Sequence, residues 1–113
     1  MPTTRSRKPR VEVSSGNVFA DLGLPGAEER QTKARLAVAI QRSIAALGLT
    51  QAEVARVLGT SQPKVSALVS GRLEGFSVER LMNFLAALGN DVEIVVRKRK
   101  SSRGPGRIHV ADL

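Results

Sequence analysis

Residues 49–71 read LTQAEVARVLGTSQPKVSALVSG, and the pattern is that of two short helices joined by a tight turn. Thr50 followed by Glu53 has the capping-box spacing, in which each side chain satisfies the other's free backbone donor. Behind that start, Val54, Ala55 and Leu58 recur on one face. Gly59 predicts the stop, because so abrupt an exit needs a left-handed backbone. Ser61 is placed to cap the next helix, and Pro63 lies in its first turn, where a missing N–H costs little. Val65, Leu68 and Val69 supply its buried face, and Gly71 ends it. The small Ala55 lets the two helices cross closely. The start and outer face of the second helix stay free.

The flanking residues give this pair a body to sit on. A first helix is predicted over Ala27–Leu47, with Glu28 and Glu29 in the turn where the macrodipole favours negative charge. Leu36, Ile40, Ile44 and Leu47, with Ala37 beside them, make one apolar stripe, and Gly48 follows as a stop. Downstream, Glu74-Gly75 marks a loop. Ser77 caps a fourth helix, with Arg80 where a capping box would place Glu. Val78, Leu81, Met82, Leu85 and Leu88 form its apolar face, with Phe84 nearer the edge, and Gly89 stops it. After the Asn90-Asp91 turn, Val92, Ile94 and Val96 alternate with Glu93, Val95 and Arg97, which is a strand pattern. A lone strand leaves its backbone groups unpaired, so it needs a neighbour. Val11–Val13 is one candidate; the same strand of a second subunit, in an antiparallel two-fold pair, is the better one.

The 113-residue chain carries a formal net charge of +8, unevenly placed. Residues 1–10 hold Arg5, Arg7, Lys8 and Arg10 and no acid. Residues 97–113 hold Arg97, Lys98, Arg99, Lys100, Arg103 and Arg107 against Asp112 alone. The stretch between them is nearly neutral. Basic arms on a neutral fold suit a polyanionic partner through phosphate contacts, or serve only as solvated, disordered tails. The expected organisation is a basic tail over 1–15 and an apolar docking segment over 16–26, built on Val18, Phe19, Leu22 and Leu24. The helical domain with its strand follows over 27–97, and a basic tail over 98–113.

A helical pair whose second member is free to enter a major groove is the helix-turn-helix arrangement. The spacing Thr50-Gln51-x-x-Val54-Ala55-x-x-Leu58-Gly59-Thr60-Ser61-x-x-x-Val65-Ser66-x-Leu68 resembles that of the lambda repressor-like, or XRE, helix-turn-helix family. The resemblance implies a mainly α fold, a four-to-five-helix bundle with the C-terminal strand pairing across a dimer. Residues 16–24, 62–66 and 75–82, with Asp91–Val96, look like a subgroup of that family, the HigA-like antitoxins of type II toxin–antitoxin systems. That likeness implies a RelE/HigB-like mRNA endonuclease toxin as partner, and autorepression of the operon.

In the repressor family the positions matching Gln62, Pro63, Lys64, Ser66 and Ala67 face the bases. The amide of Gln62 can pair with adenine N6 and N7 together. Lys64 can read guanine or hold a phosphate, Ser66 can donate to either, and Ala67 offers a methyl to thymine. Pro63 cannot read a base edge by hydrogen bonding, a departure from repressors with a polar residue there. Gln51 matches a phosphate-holding position. Ser61 and Arg72 are further phosphate candidates, beside the plainer readings of a cap and a solvated surface arginine. With so few strong readers, one copy should bind poorly, and two half-sites one helical turn apart are expected. Val18, Phe19 and Leu22 are the expected toxin contacts.

Other classes find little support. The chain has no cysteine and a single histidine, His109, in a Gly/Pro/Arg-rich segment. The sequence contains no metal-ligand cluster, phosphate-cradling loop or nucleophile–base pair, so neither an enzyme nor a cofactor is expected. Its aromatic residues are three Phe, which argues against base-stacking RNA recognition. No apolar run is long enough for a membrane, so a cytoplasmic, nucleoid-associated protein is expected. Two further functions stay open: a stand-alone repressor without a toxin, and an interaction module whose DNA binding is vestigial.

Overall fold

The computed structural model describes residues 26–100 and 104–111. The described residues hold four helices: α1 (Gly26–Leu47), α2 (Gln51–Leu58), α3 (Gln62–Val69) and α4 (Val78–Ala87). The expected fourth helix is therefore the last, with no fifth among the described residues. Of the docking segment only Gly26 is described, as the first residue of α1. Val18, Phe19 and Leu22 lie outside the described residues, as does Val11–Val13.

Two apolar clusters hold the helices together. The larger joins Leu36, Ala37 and Ile40 of α1 to Leu81, Phe84 and Leu85 of α4, with Leu68, Phe76 and Leu88. The smaller joins Val54 and Ala55 of α2 to Val65 of α3. Half-buried Ile44, Leu49 and Leu58 pack on both, so the two clusters are continuous. Burial of this kind stabilises at roughly 25 cal/mol per Å² of apolar area.

Three apolar positions differ from the sequence reading. Leu47 lies on the stripe of α1 but is 53% exposed. It is the last helical residue, and the chain turns away at Gly48 instead of covering it. Val69 is also a final helical residue and is 37% exposed; its carbonyl accepts a hydrogen bond from Gln41 Nε2 at 3.1 Å. Phe84, expected near the edge, is buried. Its partner is Phe76, edge-to-face with ring centroids 5.9 Å apart. A helical wheel of α4 cannot show a partner supplied by the preceding loop.

No strand forms over 92–96 among the described residues, and all of residues 91–100 are exposed. A ladder needs a hydrogen-bonded neighbour, and the described residues provide none there. The segment nevertheless starts from a fixed point. Asn90 Nδ2 donates to Ser43 Oγ at 2.9 Å and to the Leu85 carbonyl at 3.0 Å.

Two of the described C-terminal residues, Ile108 and Val110, contact the body. The chain returns to α1, where Thr32 Oγ1 donates to the Ile108 carbonyl at 3.5 Å and Val110 packs on the larger cluster. This explains Thr32, a buried polar residue that helical periodicity does not flag. Thr32 and Ser43 are three helical turns apart on α1 and so share a face. The chain leaves the body after Asn90 and meets it again at Ile108 along that face.

Candidate nucleic-acid interface

The start of α3 is held by its own sequence. Thr50 and Glu53 form the expected capping box at α2: Thr50 N donates to Glu53 Oε1 at 2.8 Å, and Glu53 N donates to Thr50 Oγ1 at 3.2 Å. The hydrogen bond from the Thr50 backbone, then that from its side chain, lowers the Glu53 pKa below its ordinary value. α2 ends at Gly59, whose φ of 67° is left-handed, and Thr60 N donates back to the Ala55 carbonyl at 3.0 Å. Two residues later Ser61 caps α3, its Oγ accepting from Lys64 N at 3.3 Å. α3 closes through Ser70 and Gly71, with Arg72 N donating to the Ala67 carbonyl at 2.8 Å. α3 is thus fixed at both ends, while only Val65 and Leu68 are fully buried from it.

The base-reading candidates divide in two. Gln62, Pro63 and Lys64 are exposed at the start of α3. Ser66 and Ala67 are half-buried, and Ala67 packs against the larger cluster. Lys64 leans to one flank, with Nζ 5.8 Å from the centroid of the Phe76 ring. Ser70 is exposed one turn beyond Ser66 and was not singled out from the sequence. The phosphate candidates Gln51, Ser61 and Arg72 are all exposed.

Arg80 is the residue that sequence reasoning passed over. Its Nη2 donates to Thr60 Oγ1 at 3.5 Å, and its guanidinium lies 5.5 Å from the Phe84 ring centroid. The Phe76–Phe84 pair therefore carries a cation on each ring, Lys64 on one and Arg80 on the other. This braces the start of α4 against the turn before α3. The available signal was the Arg at the third position after the Ser77 cap, where a capping box would carry Glu. Ser77 still caps alone, accepting from Arg80 N at 3.0 Å.

Elsewhere the surface of the described residues has little chemistry. An open cleft of about 400 Å³ separates the start of α1 from the returning C-terminal residues, with Glu28, Arg35 and His109 on its walls. Among the described residues no three His, Cys, Asp or Glu side chains come together. None of the described helices is long and apolar enough to cross a membrane.

Two helices of eight residues, a left-handed glycine between them and a capped second helix with an open start define a helix-turn-helix protein. A family model described as a helix-turn-helix domain matches residues 18–97, and the chain belongs to that family. A solved structure named "Putative XRE Family Transcriptional Regulator" is similar to it at 57% identity and a TM-score of 0.72. The match covers 79% of this chain and 100% of the other. Among curated proteins nothing matches.

Proposed function

We propose that the chain is a sequence-specific, double-stranded DNA-binding transcriptional regulator of the XRE type, acting as a homodimer in the cytoplasm on nucleoid DNA. The observation that carries this is the start of α3. Gln62 and Lys64 stand exposed on a helix locked by Ser61 at one end and Gly71 at the other, with Arg80 held against the adjoining turn. Such a helix can enter a major groove without reordering, so recognition costs little conformational entropy. Gln62 and Lys64 read bases, with Ser66, Ala67 and Pro63 in supporting contact. Gln51, Ser61, Arg72 and Arg80 hold phosphates.

The finer reading is that this regulator is the antitoxin of a type II pair, neutralising a RelE/HigB-like mRNA endonuclease and repressing its own operon. It rests on the resemblance of residues 16–24, 62–66, 75–82 and 91–96 to HigA-like antitoxins, with Val18, Phe19 and Leu22 as toxin contacts. Footprinting on the chain's own promoter tests the regulator. One discrete protected site with two-fold symmetry is expected, and uniform protection at moderate salt would refute sequence-specific binding. Co-expression with the adjacent reading frame tests the antitoxin. A toxic neighbour that co-purifies with this chain supports it, whereas a harmless, unbound neighbour leaves a stand-alone repressor.

A further inference from the structure

We infer that Phe76 is a positioning residue for DNA recognition: its ring seats the Lys64 ammonium and so decides which base Lys64 reaches. The inference deepens the reading of the chain as a regulator with Lys64 as a base reader, and rests on it. A lysine is a compact point charge on a flexible stem. Left to sweep, it meets any acceptor within reach and discriminates poorly between base edges. Lys64 is exposed at the start of α3, yet its Nζ lies 5.8 Å from the Phe76 ring centroid. That is inside the range where the ring quadrupole attracts a cation. Among the described residues no carboxylate pairs with Lys64. The difference matters chemically. A carboxylate would neutralise the ammonium and occupy its N–H groups. A phenyl ring brings neither a charge nor an acceptor atom, so Lys64 is held while its charge and its donors stay available.

The seat is held from several directions. Phe76 is buried in the larger cluster. Its N–H donates to the Leu73 carbonyl at 3.1 Å, closing the loop behind α3. The next residue, Ser77, caps α4. Phe76 and Leu81 stand at the two positions of a hydrophobic staple, one just outside the cap and one a turn inside, and both are buried in that cluster. The edge-to-face contact with Phe84 sets the plane of the ring. A ring fixed in place and orientation fixes the ammonium above it. Phe84 offers the contrast. It is buried in the same cluster, but the cation on its ring is Arg80, which reaches the turn at Thr60. The two phenylalanines of one pair thus serve different contacts, Phe76 that of a base reader and Phe84 that of a phosphate holder.

The probe is the promoter fragment protected in the footprint, with binding measured on its single-base variants. Lys64→Ala marks the base that Lys64 reads, by flattening discrimination there. Phe76→Leu should reduce discrimination at that same base by roughly two- to fivefold, the loss of one cation–π contact at an exposed site. Combined with Lys64→Ala, it should cost no further discrimination. Phe84→Leu should weaken binding to all variants alike. A merely structural role would make the two leucine variants behave the same, since both rings are buried in one cluster. Where Phe76→Leu unfolds, Phe76→Met fills the space without a ring. In the free chain, nuclear Overhauser contacts should link the Lys64 Cε protons to the Phe76 ring. Their absence, full discrimination in Phe76→Leu, or the same base-specific loss in Phe84→Leu would each overturn the inference. Without a discrete protected site the regulator reading falls and this inference with it; with one, these outcomes bear on Phe76 alone.

Discussion

The two apolar clusters differ in what they ask of the chain. The α1–α4 cluster is large, takes fully buried residues from every helix but α2, and contains the Phe76–Phe84 pair. The α2–α3 cluster has three buried residues, Val54, Ala55 and Val65. So small a cluster cannot hold two eight-residue helices by burial alone, since isolated helices of that length are marginal in water. What it lacks in area it makes up in termini: a full capping box at Thr50, a left-handed exit at Gly59 and a serine cap at Ser61. The body is held by its interior, and the reading unit by its ends and by leaning on the body through Ile44, Leu49 and Leu58. This leaves almost all of the outer face of α3 free for a ligand.

That contrast can be broken most severely from the body's side. Leu81→Ala, at a fully buried position of the larger cluster, should cost about 2–5 kcal/mol in urea unfolding. Val65→Ala in the smaller cluster should cost roughly 2 kcal/mol, for two carbons at about 0.8 each plus a cavity. Equal losses would show that the clusters are not unequal partners. Gln62→Ala, exposed on α3, should leave the unfolding midpoint where it is. It should cost about 1–3 kcal/mol in binding at one base position and relax specificity there. A uniform loss across operator variants would assign Gln62 to the backbone instead.

Smaller effects test the ends. An added Cβ at Gly59 would meet nothing within 4 Å. The expected cost of Gly59→Ala is therefore conformational, about 1–2 kcal/mol, and a neutral result would mean the turn relaxes freely. Thr50→Ala should cost about 1 kcal/mol through the lost cap. The smallest signal is the pH dependence of the cap. Glu53 has a lowered pKa in the fold, so its contribution is present above its ordinary value of 4.5 and is lost as pH falls from there through the folded value. A Glu53→Gln variant should lack that step in an acid titration of the urea midpoint.

The reading unit was legible in the sequence because its stability is local. Thr50, Glu53, Gly59, Ser61 and Pro63 act on neighbours within four residues, and spacing alone reveals them. Contacts between distant segments were not legible. Phe84 depends on Phe76, Thr32 depends on a carbonyl 76 positions away, and Arg80 reaches the turn at Thr60 across 20. The exposure of Leu47 and Val69 escaped for a related reason, since periodicity assigns a face but does not say where the covering helix ends. The strand pattern at 92–96 states a need for pairing that none of the described residues meets.

Pro63 has a consequence for how the molecule can grip a phosphate. Helix starts bind anions through their free backbone N–H groups. At α3, Pro63 has no N–H, the Lys64 N–H is taken by Ser61 Oγ and the Val65 N–H by the Ser61 carbonyl. Of the first four positions only Gln62 has an amide to give. At α2 the cap takes the Glu53 N–H and the Thr50 carbonyl takes that of Val54, so Gln51 and Ala52 keep theirs. On the proposed reading, an amide grip on the sugar–phosphate strand thus falls to the first helix of the pair. In the proposed complex the second helix is left to meet the groove with side chains rather than main chain as its instruments.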